Sequence, residues 1–109
     1  MTDNSLFSIE GKTAIVTGAT GYLGKAITEA LLSAGAKVDL FGRGQKIVDY
    51  HSHLVKTYGE DMVDLHKVDL YDEGPYREAL QDTIEKNDSV DILINNAYEF
   101  SKSTGFNDA

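Results

Sequence analysis

The chain has 109 residues, of which 41% are hydrophobic and 26% are charged. This composition is typical of a folded globular protein rather than a disordered one. The length predicts a single domain, spanning residues 1–109, with a thin hydrophobic core. The chain contains no cysteine, which excludes disulfide bonds, thiolate metal sites and a cysteine nucleophile.

The charge balance and the apolar runs narrow the range of partners. Eighteen acidic and ten basic residues give a net charge of −8, and such a surface would repel the phosphate backbone of nucleic acids. No apolar run approaches the about 20 residues that a membrane-spanning helix needs. Residues 1–12 lack the basic and apolar segments of a signal peptide. We therefore expect a cytoplasmic protein that binds neither nucleic acid nor membrane.

Short β-branched runs alternate with helical patterns along the chain. Strands are predicted at residues 13–17, 37–41, 62–68 and 90–95. Helices are predicted at residues 23–34 and 45–58 and from about residue 75 onward. This alternation predicts an α/β fold, a Rossmann-type parallel sheet of about four strands in the order 3-2-1-4 with flanking helices, as in a truncated doubly wound fold.

The apolar spacing also predicts which faces are buried. The first helix has a stripe of Ala26, Ile27, Ala30, Leu31 and Ala34, followed by Gly35 as a left-handed terminating residue. The second helix has Ile47, His51, Leu54, Val55 and Tyr58, followed by Gly59. The third has Tyr76, Ala79, Leu80 and Ile84, with Pro75 near its start. The apolar run of the fourth strand predicts burial on both of its faces.

A glycine-rich turn, TGATGYLG at residues 17–24, joins the first strand to the first helix. Free amides and the positive dipole end at a helix N-terminus favour a phosphate there. In this interpretation Gly18 makes the tight turn, Gly21 allows close approach of a pyrophosphate, and Gly24 lets the helix pack on the strand. A purely structural turn is the alternative. A magnesium-dependent phosphate loop fits poorly, because Ala26 stands where that motif needs a hydroxyl.

Together with two later motifs, this turn resembles the short-chain dehydrogenase/reductase family. The later motifs are Asp69-Leu70 after the third strand and Asn95-Asn96-Ala97 at the end of the fourth. The resemblance covers nearly the whole chain but only the N-terminal, cofactor-binding part of such enzymes. It implies hydride transfer between a nicotinamide cofactor and a carbonyl or alcohol substrate.

The resemblance also implies a set of cofactor-binding residues. By this resemblance, Thr17 would link its strand to Asn95, Asp69 and Leu70 would contact the adenine ring, and Ala97 would lie beside the adenosine ribose. The predicted cofactor-binding residues are Gly18, Thr20, Gly21, Tyr22, Leu23, Gly24, Arg43, Asp69, Leu70, Asn95, Ala97 and Tyr98. The glycine spacing is similar to the extended subfamily that acts on nucleotide sugars, whereas Asn-Asn-Ala is similar to the classical subfamily. Tyr98 stands where the classical motif ends in glycine.

The turn after the second strand indicates which nicotinamide cofactor is preferred. A carboxylate there would accept a hydrogen bond from a ribose 2′-hydroxyl, whereas an arginine pairs with a 2′-phosphate. Here Gly42 occupies the usual acidic position, Arg43 follows it, and Asp39 lies too early, inside the strand. We therefore expect NADP(H), with NAD(H) as the alternative. Arg43 as an ordinary exposed turn residue also remains open.

Catalytic residues are not predicted within this chain. The family resemblance implies a serine and a Tyr-xxx-Lys pair, which would normally follow a fifth strand. Tyr98 and Lys102 have the spacing of such a pair, but they follow the fourth strand directly, and we interpret the spacing as a chance match. His51 and His53 point to different sides of a helix, and no metal site is predicted. His66 is expected to be a half-buried residue of the sheet.

Two other functions remain open at this point. One is a non-catalytic dinucleotide-binding module, and the other is a fragment of a nucleotide-sugar epimerase or dehydratase. The predicted strand order leaves the fourth strand at an edge, where unpaired backbone groups recruit other strands. If the chain is complete, we therefore expect self-association through that edge or marginal stability. The alternative is that a second half exists elsewhere.

Overall fold

Four parallel strands and three helices alternate in the computed structural model, which describes residues 8–87 and 89–96. The elements are β1 (Thr13–Thr17), α1 (Tyr22–Ser33), β2 (Lys37–Gly42), α2 (Gln45–Tyr58), β3 (Val63–Lys67), α3 (Glu73–Asn87) and β4 (Ile92–Asn95). The strands lie in the order β3-β2-β1-β4, which confirms the predicted Rossmann-type sheet. None of the helices within the described ranges is long and apolar enough to cross a membrane.

The hydrophobic core has one layer on each face of the sheet. Alternate strand residues such as Val16 and Leu40 face α1 and α2, where they pack against Leu31 and Leu54. The opposite face carries a smaller cluster of Ile15, Phe41 and Val68, against which Tyr76, Ala79 and Leu80 pack. All five residues of β1 are buried, because this strand lies in the interior of the sheet with helices over both faces.

Glycines end the two helices that cover the larger core layer. Gly35 follows α1 with φ of 91°, and Gly59 follows α2 with φ of 96°. These left-handed angles are strained for any residue with a Cβ, so the glycines stop each helix where the sequence predicts. The bounds of α2 agree with the predicted ones at both ends.

The predicted buried stripe of α1 is partly wrong. Leu31 is buried and Ile27 is half-buried, but Ala26, Ala30 and Ala34 are exposed. The residues that α1 buries are Gly24, Thr28, Leu31 and Leu32. Gly24 allows the first turn of the helix to lie directly against the backbone of the preceding turn, and this contact rotates the alanines toward solvent.

Two further burial predictions fail at the edges of the molecule. In α3, Ile84 is 47% exposed and Thr83 is fully buried, because the Thr83 hydroxyl points inward and forms a hydrogen bond with His66 of β3. In β4, Leu93 is 61% exposed, so burial on both faces is wrong. The strand lies at the edge of the sheet, and α3 packs over Ile15 and Phe41 rather than over Leu93.

Candidate functional site

The predicted site residues lie at the end of the sheet formed by the carboxyl ends of its parallel strands. The structure describes ten of the twelve, and the predicted Ala97, Tyr98 and the Tyr98–Lys102 spacing lie outside the described residues. Gly18, Thr20 and Gly21 follow β1, Tyr22, Leu23 and Gly24 begin α1, Arg43 follows β2, Asp69 and Leu70 follow β3, and Asn95 ends β4. In open α/β sheets, ligands bind at this carboxyl end of the strands.

The N-terminus of α1 is open to solvent. Gly21 is the N-cap residue and supplies no side-chain hydrogen bond, and no acidic residue occupies the first turn. Tyr22 is 95% exposed, and Leu23 is exposed as well. The first amides of a helix have no partner within it, and together with the helix dipole they attract an anion. The geometry therefore suits a phosphate group in front of Gly21 and Tyr22.

The glycines of this turn have different structural reasons. Gly18 has φ of 68°, which favours glycine. A Cβ at Gly24 would lie 1.9 Å from the carbonyl oxygen of Gly18 and 2.9 Å from Cα of Ala19, so only glycine fits. A Cβ at Gly21 would lie 3.7 Å from that same oxygen, an ordinary contact. Gly24 thus allows close packing, although its contacts are with Gly18 and Ala19 of the turn rather than with the strand as predicted. None of the described residues requires glycine at position 21.

Polar contacts hold the end of β4 against the turn. Thr17 Oγ1 donates a hydrogen bond to Asn95 Oδ1 at 3.0 Å and accepts one from the backbone amide of Asn96 at 3.0 Å. The side-chain amide of Asn96 donates to the Gly18 carbonyl oxygen at 3.4 Å. The expected tie between Thr17 and Asn95 is therefore present. It fixes the turn relative to two neighbouring strands.

Arg43 and Asp69 form an ion pair across the ends of β2 and β3. Arg43 Nη1 lies 3.3 Å from Asp69 Oδ2, and the two side chains are 70% and 37% exposed. Sequence reasoning predicted both residues for the site but missed their pairing. The signal was available, because opposite charges at the ends of strands that are adjacent in the predicted order should meet.

Two cavities adjoin this end of the sheet. The smaller, of about 220 Å³, is lined by Leu70, Tyr71, Tyr76 and Asn95. The larger, of about 510 Å³, lies between α1 and α2 and is lined by Thr20, Lys25, Glu29, Lys46, Asp49, Tyr50 and His53. The smaller cavity contains two of the residues that the sequence assigns to the cofactor, and the larger contains one, Thr20.

The larger cavity is built around Tyr50, which sequence reasoning missed. Its hydroxyl donates a hydrogen bond to Glu29 Oε2 at 2.8 Å, and Lys25 Nζ lies 5.3 Å from the centre of its ring. Burial, followed by the hydrogen bond and the charge of Glu29, raises the pKa of Tyr50, so the phenol stays protonated at neutral pH. His53 stacks on Tyr50, whereas His51 faces the Val63 carbonyl oxygen. The two histidines diverge, as predicted.

A polar cluster lies between the sheet and α3. Asp39 is fully buried, and its Oδ1 lies 3.0 Å from His66 Nε2, which is 3.1 Å from Thr83 Oγ1. Asp64 pairs with Lys86 of α3. Burial raises the pKa of Asp64, but the hydrogen bond and charge of Lys86, together with His66 and the Leu65 backbone amide, lower that pKa overall. The hydrogen bond with Asp64 raises the pKa of Lys86.

This cluster explains the position of α3 rather than a chemical function. Asp39, Asp64 and His66 each offer one ligand atom within 4.8 Å of the others, which is a possible donor set for a metal ion. Lys86 already supplies a cation to Asp64, and His66 Nε2 already has two polar neighbours. We interpret the cluster as a network that holds α3 on β2 and β3. His66 is a half-buried residue of the sheet, as predicted.

Comparison with known proteins identifies the family. A family model described as short chain dehydrogenase matches residues 12–107. The chain belongs to the short-chain dehydrogenase family. Among its relatives, a 3-oxoacyl-[acyl-carrier-protein] reductase of Chlamydia pneumoniae is 33% identical over 94 residues, which are 83% of this chain and 36% of the relative. The corresponding reductase of Aquifex aeolicus is 35% identical over 92 residues, 82% of this chain and 36% of the relative.

Solved structures of short-chain dehydrogenases and related proteins share the fold. L-sorbose reductase from Gluconobacter frateurii, complexed with NADPH and L-sorbose, superposes with a TM-score of 0.76 at 27% identity, covering 86% of this chain and 36% of that one. The N-domain of a bacterial malonyl-CoA reductase with NADP gives a TM-score of 0.76 at 33% identity, covering 84% and 17%. This short-chain dehydrogenase chain thus spans about a third of the length of the curated relatives that it matches.

Proposed function

We propose that the chain is the cofactor-binding part of a short-chain oxidoreductase that transfers a hydride between a nicotinamide cofactor and a carbonyl or alcohol substrate. The observation that carries this proposal is the uncapped N-terminus of α1, which opens to solvent at the carboxyl end of the buried strand β1. Two structures with the same fold, a sorbose reductase and a malonyl-CoA reductase domain, are complexes with NADPH and NADP. The bound cofactor would supply or accept the hydride.

Different residues at the carboxyl ends of the strands would bind different parts of the dinucleotide. The amides that follow Gly18 and Gly21 would hold the pyrophosphate, since the first turn of α1 contains no acidic side chain to repel it. The cavity lined by Leu70 and Asn95 would accept part of the adenosine. Thr20, Tyr22, Leu23 and Gly24 would frame the phosphates, Asp69 would meet the adenine, and Ala97 and Tyr98 would line the cleft. No catalytic residue is assigned to this chain.

NADP(H) is the cofactor that we propose in preference to NAD(H). The residue at the end of β2 is Gly42, so no carboxylate stands there to repel a 2′-phosphate. Arg43 follows it, and its side chain is 70% exposed and therefore accessible to an incoming ligand. Arginine binds phosphate through charge-assisted hydrogen bonds, which are stronger than neutral ones.

We expect Arg43→Ala to weaken NADPH binding about ten-fold or more, because a charge-assisted hydrogen bond contributes about 1.5–3 kcal/mol. The affinity for NADH should change little. Calorimetric titration of the 109-residue chain with both cofactors measures the two dissociation constants. Arg77→Ala is the matched control, since Arg77 is equally exposed and pairs with Glu73 on α3. Tighter binding of NADH than of NADPH by the unaltered chain, or equal losses in Arg43→Ala, would contradict the preference.

The other functions considered from the sequence receive less support. The relatives named above are reductases, which favours hydride transfer over nucleotide-sugar epimerisation or dehydration. A separate proposal concerns β4, which pairs with β1 on one side and exposes Leu93. We propose that a second copy of this chain pairs with the outer side of β4, because no described strand pairs there and an apolar edge strand favours association.

A further inference from the structure

The ion pair between Arg43 and Asp69 joins an exposed side chain to one that its own turn holds in place. The Asp69 carboxylate is held by its own turn, because Oδ1 accepts a hydrogen bond from the backbone amide of Tyr71 at 2.9 Å. The Asp69 carbonyl oxygen accepts a second hydrogen bond, from the backbone amide of Asp72 at 2.9 Å. Arg43 instead lies on a turn followed by Gly44 with φ of 95°, and its side chain is 70% exposed. Any exchange of partners in this pair therefore falls to Arg43.

We propose that Asp69 moderates the preference for NADP(H) by competing with the 2′-phosphate for Arg43. This inference rests on the proposed function. Both oxygens of Asp69 are engaged, Oδ1 by Tyr71 and Oδ2 by Arg43. A 2′-phosphate must draw the guanidinium away from Asp69 or share it, whereas the 2′-hydroxyl of NAD(H) makes no such demand. The ion pair thus lowers the preference for NADP(H) without abolishing it.

The size of the effect follows from the exposure of the pair. Exposed ion pairs contribute little to stability, and the energy of this one corresponds to a change of about two- to five-fold in an equilibrium constant. The Asp69 carboxylate also repels a phosphate dianion held by the same arginine, an effect that acts in the same direction and is screened by salt. Both contributions affect NADPH and leave NADH nearly unaffected.

The test is Asp69→Asn in the full 109-residue chain. Asparagine keeps the oxygen that accepts the Tyr71 amide, so the turn is retained while the charge is lost. We expect the ratio of the NADH to the NADPH dissociation constant to rise about two- to five-fold at low salt, and less at high salt. A contact between Asp69 and adenine would change both constants equally and leave this ratio unaltered, so the ratio isolates the competition for Arg43.

Two further variants separate the possible outcomes. Asp72→Asn removes a nearby exposed carboxylate and should leave the ratio unchanged. In an Arg43→Ala background Asp69→Asn should change the ratio much less than in the unaltered chain, because only the direct repulsion of the phosphate is left. An unchanged ratio in Asp69→Asn, or one that moves toward NADH, would overturn the competition while leaving cofactor binding intact. Failure of the unaltered chain to bind either cofactor would overturn the proposed function and this inference with it.

Discussion

Gly24→Ala should lower the free energy of unfolding by about 3 kcal/mol or more, which is a large part of the stability of a small domain. The added methyl group would lie 1.9 Å from the Gly18 carbonyl oxygen and 2.8 Å from its carbonyl carbon. Both atoms belong to the backbone, so no side chain can turn aside, and α1 would have to move off the turn. Urea denaturation followed by circular dichroism measures the loss.

Gly21→Ala is the matched control for this substitution. Its methyl group would be 3.7 Å from the Gly18 carbonyl oxygen, and the φ of −74° at Gly21 suits any residue. We expect the free energy of unfolding to change by less than about 1 kcal/mol. Cofactor affinity should nevertheless fall, since the methyl group would stand in front of the amides. An unfolding midpoint for Gly24→Ala equal to that of the unaltered chain would contradict the close packing.

His66→Val should lower the free energy of unfolding by about 3–5 kcal/mol, because it leaves a buried carboxylate without its partner. Asp39 is fully buried, and its Oδ2 has no hydrogen-bond partner among the described residues, so Oδ1 depends on His66 Nε2 at 3.0 Å. Thermal and urea unfolding of the variant at neutral pH measure this loss.

The double variant Asp39→Val/His66→Val tests whether the loss comes from the stranded carboxylate. Two apolar side chains facing α3 from adjacent strands should pack together, and replacing a buried pair by apolar residues is often neutral or stabilising. We expect the double variant to unfold within about 1 kcal/mol of the unaltered chain. Losses that simply add would show that His66 acts through packing, for example on Phe41, at a ring distance of 4.6 Å.

The order of the elements and the position of the phosphate turn could be predicted from the sequence. Alternation of short β-branched runs with helical spacing permits few sheet topologies, and the order 3-2-1-4 agrees with the structure. Gly35 and Gly59 mark helix ends because glycine adopts their left-handed backbone angles at little cost, whereas a residue with a Cβ would be strained there. Gly18 and Gly24 are needed in the turn because of backbone conformation and close contacts within a few residues. Such local rules can be read from one sequence.

The rotation of α1 and the pairing of Asp39 with His66 could not be predicted in the same way. Counting apolar residues assigns Ala26, Ala30 and Ala34 to the core, yet the contact at Gly24 decides the rotation. The pair of Asp39 and His66 depends on the register between two strands, which apolar spacing does not specify.

Binding of a dinucleotide at the N-terminus of α1 can be tested by titrating the isotope-labelled 109-residue chain with NADPH and following the amide signals in two-dimensional NMR spectra. We expect saturable changes that are largest for the amides of residues 18–24, with smaller changes at Leu70 and Asn95. Changes confined to the cavity between α1 and α2, around Lys46 and His53, or no saturable change with either NADPH or NADH, would contradict binding at this position.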